Sequence, residues 1–449
     1  MRNYELEVPV SKNNNAIEKD DNRCITCGYC KKVCTDDVTV ARMFEIKEGI
    51  EPICVNCGQC ANICPTEAIH EKFDYLKVKE ILKNKNGKIV TFEIAPAVRV
   101  ALAEDLYGKV GDNLESKIPT ALKAIGADYV FDVTFGADLT IMEEASELVE
   151  RIKSKKRLPQ FTSCCPAWVK YCEIFYPEYI NNLSTAKSPI AMQSTIIKTY
   201  FANKMNLSSE DIINIAVAPC TAKKSEVARK ELNLNDKDTD FVLTTRELAK
   251  LLKEENIPVS SLEDGEYDSP LGKGSGAGVI FGASGGVCEA ALRTAYYLIT
   301  NKNLSKEELD FKSIRGMDGI KEATITIDGI EVKVAVCNGM KNAKQLLDKL
   351  KNNEVYYDFI EIMNCIGGCI AGGGQPKITL LEMENTKKKR MAALYKEDET
   401  MTLRLCHENK EIIDIYNDYF EKPNSELAEK LLHTSYQDKS YLLGGKENA

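Results

Sequence analysis

Short apolar runs punctuate the chain. KIVTFEIAP (88–96), DYVFDVTF (128–135), LPQFTSC (158–164), NIAVAPC (214–220), DFVLT (240–244) and YDFIEIMNC (357–365) are rich in Val, Ile and Phe, and their length predicts buried strands. Between them, TIMEEASELVERIKS (140–154) and TTRELAKLLKEEN (244–256) place apolar residues at helical spacing. Such alternation predicts an α/β region of two lobes whose mostly parallel sheets are covered by helices.

Upstream of the polar connector KNKNGK (83–88) the texture differs. Residues 24–34 read CITCGYCKKVC and residues 54–64 read CVNCGQCANIC, an internal repeat of C-x2-C-x2-C-x3-C. In the bacterial two-cluster ferredoxin pattern three closely spaced thiolates hold one 4Fe-4S cluster and the fourth ligates the other. One cluster therefore takes Cys24, Cys27, Cys30 and Cys64, and the second takes Cys54, Cys57, Cys60 and Cys34. Zinc sites prefer pairs of pairs across longer spans. The predicted organisation is an N-terminal tail (1–22), a small α+β ferredoxin-like domain (23–82), an α/β catalytic domain (83–385) and a helical C-terminal wrap and tail (386–449).

Three predicted strands end on cysteine, giving Cys164-Cys165, Cys220 and Cys365, with Cys369 four residues later. Ligands of open α/β sheets bind beyond the carboxyl ends of the strands. Four of these five thiols can make a third cubane site. A disulfide between the neighbours Cys164 and Cys165 is strained, so the two have different jobs. GKGSGAG (272–278) imitates a dinucleotide fingerprint but precedes an apolar run, so it is expected to be a flexible turn. GGGQP (372–376) lets the backbone pass close to something bulky, and RIKSKKR (151–157) is expected to be a solvated helix end.

The chain has 449 residues, 44% hydrophobic and 28% charged, with net charge -9. That suits a soluble multidomain protein, and without a long Lys/Arg block neither nucleic acid nor an anionic membrane is an expected partner. No apolar h-region or membrane-length run is evident, which predicts the cytoplasm. Seventeen cysteines in a reducing compartment are better explained by metal than by disulfides.

TSCCPAW (162–168), APCTAKKSE (218–226) and EIMNCIGGCIAGGGQP (361–376), with EIAPAVRVALAEDLYG and FGASGGVCEAALRTAY, resemble the FeFe-hydrogenases from about Cys24 to Tyr436. The resemblance implies an H-cluster, a 4Fe-4S cubane joined through one thiolate to a diiron unit carrying carbon monoxide, cyanide and a bridging azadithiolate. Cys165, Cys220, Cys365 and Cys369 would hold the cubane, with Cys369 bridging, and Cys164 would pass protons. Glu144 and Glu147, at i, i+3 on one helix face, and Ser184 are implied as the rest of a relay. Lys223 would hydrogen-bond a cyanide, with Glu226 positioning the motif; Ala95, Pro96, Phe281 and Met363 would shape the pocket. Of the three histidines, His70, His407 and His433, none is near these motifs in sequence, so histidine is not expected to be the shuttle. Ala97, Ala167, Ala218, Ile190 and Ala191 depart from the commonest family motifs. Cys172, Cys288, Cys337 and Cys406 are additional and expected to be buried; Cys288 lies in a motif near the diiron of the family.

The activity implied is reversible H2 oxidation and production, with protons and a carrier such as ferredoxin as partners and maturation proteins supplying the diiron unit. A hydrogen sensor would be expected to replace Cys164 and append a signalling domain. A non-catalytic iron-sulfur protein does not need the paired cysteines and Lys223.

Overall fold

The computed structural model describes residues 6–43, 52–234 and 237–444; parts of the expected terminal tails, 1–5 and 445–449, lie outside them. Its ten strands are β1 (Ile17–Lys19), β2 (Ile69–Glu71), β3 (Ile89–Ile94), β4 (Tyr129–Asp132), β5 (Gln160–Phe161), β6 (Ile212–Ala218), β7 (Phe241–Thr244), β8 (Ile320–Ile327), β9 (Ile330–Asn338) and β10 (Phe359–Met363). One four-stranded sheet has the order β4-β3-β6-β7 and is wholly parallel. The other has the order β5-β10-β9-β8 and is parallel except for β8. Each of the six apolar runs singled out in the sequence contains one of these strands.

The unforeseen pair, β8 and β9, is an antiparallel hairpin closed by Asp328-Gly329. Both turn residues have positive φ, 49° and 79°, which matches the twist of the flanking strands. The N-terminal segment also differs from expectation. Residues 17–19 form β1 and pair with β2, so part of the expected tail is a strand of the small α+β module. At the other boundary, the helix Tyr75–Lys83 buries Tyr75 and Val78 in the core of the first sheet.

The helix Val133–Ser154 starts where Asp132 caps Thr134 N and is buried along sixteen of its twenty-two residues. A helix apolar nearly all round is an interior helix. It packs against the helices Pro189–Ile196, Gly286–Thr300 and Gly276–Val279. GKGSGAG is not the flexible turn expected of it: Ser275 caps the helix Gly276–Val279, which takes up its last three residues, and a Cβ on Gly274 would collide with Thr134 Oγ1. RIKSKKR also divides, because Arg151 is buried whereas residues 153–157, at and just past the helix end, are exposed as expected.

The helix Met383–Thr400 closes over the first lobe through buried charges. Arg99 bridges Asp132 and Glu397, both at 2.6 Å, and Arg390 pairs with Glu104. Removing one partner of a buried pair leaves an uncompensated charge. Arg99→Met is therefore expected to cost about 3–5 kcal/mol, read as a lower denaturation midpoint of the purified protein. A loss below about 1 kcal/mol would place the bridge among pairs that contribute nothing measurable.

Candidate metal centre

Parallel strands deliver their following residues to one edge, and here two such edges face each other. From the first sheet come Ala95 and Pro96 after β3 and Cys220 after β6. From the second come Cys164 and Cys165 after β5 and Cys365 after β10. These residues, with Cys369, Lys223, Phe281 and Met363, line one cavity. Pro166 at the first helical position after Cys165 fits the chain's turn there, because its fixed φ suits a helix start and its missing N–H is not needed.

Apart from the thiols, Lys223 and Asn364, the cavity lining is alanine, proline, glycine, valine, isoleucine, phenylalanine and methionine. Burial raises the pKa of all five thiols, that of Cys165 to about 11 and that of Cys369 to about 12; neighbouring thiols push Cys220 and Cys369 further upward. No disulfide links the described cysteines. Five unpaired, mutually unfavourable thiols in an apolar cavity form a donor set suited to iron-sulfur ligation, since thiolates cluster stably when a metal neutralises them. Cys365 Sγ accepts hydrogen bonds from Gln59 Nε2 at 3.1 Å and Asn364 Nδ2 at 3.5 Å, the kind of contact that tunes a cluster. The residues thus fit a cluster.

Lys223 is the buried cation of the site. Its Nζ donates to Ser188 Oγ (2.8 Å), Glu226 Oε2 (2.6 Å) and Cys164 O (3.4 Å). Burial alone would lower its pKa, but Glu226, joined by the charges of Cys164 and Cys220, turns the net shift upward, so the ammonium stays charged. Glu226 is thus placed as the sequence suggested.

Behind Cys164 lie the two glutamates. Glu144 is fully buried, and neither carboxylate oxygen has a hydrogen-bond partner among the described residues. Burial, and then the charge of Glu147, raise its pKa to about 8. Cys164 feels Glu144 as its strongest charged neighbour. Glu147 is the outer member and accepts from Ser184 Oγ (2.9 Å), Thr185 N (3.1 Å) and Arg151 (2.5 Å). Sequence reading missed Arg151 and Thr185, and it also missed His433, whose Nδ1 lies 2.8 Å from Thr185 Oγ1.

The N-terminal cysteines gather in two groups. Cys24, Cys27, Cys30 and Cys64 line one small cavity, with Cys27 exposed. Burial raises the pKa of Cys34, Cys57 and Cys60, and the nearby Cys54 pushes each of them further upward. Cys57 also feels Cys365 across the module boundary. There the glycines of GGGQP meet the loop that carries Cys57, where a Cβ on Gly373 would lie 2.2 Å from Cys57 O.

Ala97, Ala167 and Ile190 line the main cavity, while Ala191 is buried in its helix and Ala218 ends β6. Cys172, Cys288, Cys337 and Cys406 are buried. Cys288 is not among the residues lining the cavity.

The family model for the iron only hydrogenase large subunit, C-terminal domain, matches residues 88–373. The iron hydrogenase small subunit model matches 384–439, and a 4Fe-4S binding domain matches 51–70. Iron hydrogenase 1 of Clostridium pasteurianum is 41% identical over 444 residues, covering 95% of this chain and 77% of the relative. The periplasmic Fe hydrogenase large subunit of Nitratidesulfovibrio vulgaris is 42% identical over 404 residues, covering 88% and 95%. An apo FeFe-hydrogenase structure from Chlamydomonas reinhardtii superposes with a TM-score of 0.71 at 40% identity, over 82% of this chain and 99% of the other. Matched through its large-subunit, small-subunit and 4Fe-4S segments, with its thiols gathered between two parallel sheet edges, the chain belongs to the iron-only hydrogenase family and is an FeFe-hydrogenase.

Proposed function

We propose that the chain interconverts H2 with protons and electrons at an H-cluster held by Cys165, Cys220, Cys365 and Cys369. The observation that carries this reading is the apolar cavity that holds five thiols and one buried cation. When bound, the H-cluster supplies the metal site at which two protons and two electrons combine into H2 or H2 is split. Cys369 would be the thiolate that joins the cubane to the diiron unit. Lys223, fixed by Ser188 and Glu226, would offer its ammonium to an anionic ligand of the cluster, a charge-assisted bond that a dry cavity strengthens. Ala95, Pro96, Phe281 and Met363 keep water out.

Protons move through Cys164, Glu144, Ser184 and Glu147. Glu144 holds its proton at neutral pH because burial has raised its pKa, which makes it a donor matched to its working range. Cys24, Cys27, Cys30 and Cys64 would hold a cluster that could exchange electrons with a carrier, since Cys27 meets solvent. Cys34, Cys54, Cys57 and Cys60 would hold a second cluster, beside which Gln59 donates a hydrogen bond to Cys365. The exposed entry point suits a small carrier such as ferredoxin. Loading the site requires maturation proteins, and seventeen reduced thiols suit a compartment such as the cytoplasm.

Two cysteine variants separate the roles of the opening pair. Cys164→Ala is expected to keep its iron and the infrared bands of bound carbon monoxide and cyanide while losing about 10²–10⁴ of H2 evolution. Cys165→Ala should lose the H-cluster signals themselves. Normal turnover in Cys164→Ala would remove that residue from the relay.

Glu144 sets a pH limit. Its carboxyl is protonated below about 8 and ionises as pH rises through that value, so H2 evolution at saturating reductant should fall on the alkaline side. Glu144→Gln has no such ionisation and should be slowed about 10²–10⁴-fold at every pH. Unchanged rates in this variant would exclude Glu144 as a proton carrier.

A further inference from the structure

Glu147 needs a route to solvent, and its neighbours differ in their ability to provide one. Its side chain is only 13% exposed. Arg151 anchors it but is a permanent cation without an acceptor, tied to the carbonyls of Arg157, Asn182 and Leu183. Ser184 leads inward. Thr185 leads outward: its Oγ1 donates to Glu147 Oε1 at 3.4 Å and contacts His433 Nδ1 at 2.8 Å.

His433 comes from the far end of the chain, yet its backbone is fixed beside this segment. Residues 186 and 433 form an antiparallel bridge. Lys187 N donates to Leu432 O, and Thr434 N donates to Thr185 O, both at 2.8 Å. On its other side, His433 Nε2 lies 3.1 Å from Glu143 Oε2, and Nδ1 is 3.9 Å from Glu429, a carboxylate more than half exposed. The buried Glu143 also accepts from the Tyr416 hydroxyl and Asn424 N.

Resting on the relay reading above, we propose that His433, through Thr185, carries protons between Glu147 and the solvent-facing Glu429 as a positioning residue for proton transfer. In the inward step, imidazolium Nδ1–H gives its proton to Thr185 Oγ1 while the Thr185 hydroxyl proton passes to Glu147. His433 is left neutral, with Nε2–H still donating to Glu143, and regains a proton from water or Glu429. The charged groups facing the ring are Glu143, Glu429 and Glu147. Burial would lower the imidazole pKa, but Glu143 first, then Glu429 and Glu147, raise it above the ordinary histidine value. The ring can therefore be protonated near neutrality. Glu143 engages Nε2, which leaves Nδ1 facing Thr185.

Two measurements test the branch. In the apoprotein, isotope-labelled histidine gives three ring signals, and loss of one in His433→Gln assigns the residue. Its titration midpoint should lie above that of an ordinary histidine and fall in Glu147→Gln; an unmoved midpoint would overturn the coupling. In the loaded enzyme, Thr185→Val, which breaks the wire but keeps the Thr185 N–H bond to Glu147, should slow H2 evolution several-fold. His433→Gln, which keeps a hydrogen-bonding side chain without a titrating ring, should do the same and change the pH–rate profile. If Glu147→Gln is slow while both other variants keep the parent rate and profile, Glu147 exchanges directly with water and the branch is wrong although the relay stands. If Glu147→Gln itself keeps full turnover, the relay fails, and the branch with it.

Discussion

Everything at the centre of this protein depends on five thiols being withdrawn from water together. Burial raises their pKa values and proximity raises several further. Such a group is tolerable as thiolates only against metal. The fold meets this requirement with two parallel sheets whose carboxyl edges face each other, each edge delivering thiols from the loops beyond its strands. Neither sheet could do this alone, since Cys220 follows β6 of one and Cys165 and Cys365 follow β5 and β10 of the other. The wall between them is apolar because every polar group added there would require a partner of its own.

The helix Val133–Ser154 makes the second provision. It links the two sheets in the chain and is enclosed by other helices, so Glu144 inherits a dry environment without a hydrogen bond. An unpartnered buried carboxyl avoids the cost of charge by holding its proton. One turn later the same helix nears solvent, and Glu147 meets a cation and two hydroxyls instead. Two carboxyls on one face thus meet different surroundings because the helix passes from interior to rim.

Much of this was legible in the sequence because it is local. Apolar runs ending in cysteine located the strand ends and the site, and the C-x2-C repeats located the thiols of the small module. The hairpin β8–β9 was also signalled, by Asp328-Gly329 between alternating apolar positions, but the flanking Lys and Glu residues broke up its apolar texture. What could not be read was pairing across distance. β1 is three residues whose partner lies some fifty positions away. Arg151 sits in a basic run that reads as a solvated end, and only tertiary structure turns it toward Glu147 and three carbonyls. His433 is nearly 250 positions from Thr185, in a segment whose polarity gave no hint that a backbone bridge would dock it beside the relay.

The same distinction bears on the departures from the common family motifs. Ala97, Ala167 and Ile190 all line the cavity, so they act where metal electronics are set. Ala97 presents its backbone: its carbonyl accepts from Gln375 Nε2 at 2.7 Å, and its side chain is enclosed by Val279, Leu394 and Ile370. A methyl group there offers no donor, leaving Lys223 as the only cation among the residues that line the cavity. Ala218 is fully buried as the last residue of β6, two positions before Cys220, and a small side chain there fills little of the space behind the thiol. The wall these residues help to form is apolar, with Lys223 and Asn364 its polar exceptions beside the thiols. The charge that the cavity keeps is therefore concentrated at Lys223, held in place by Ser188 and Glu226.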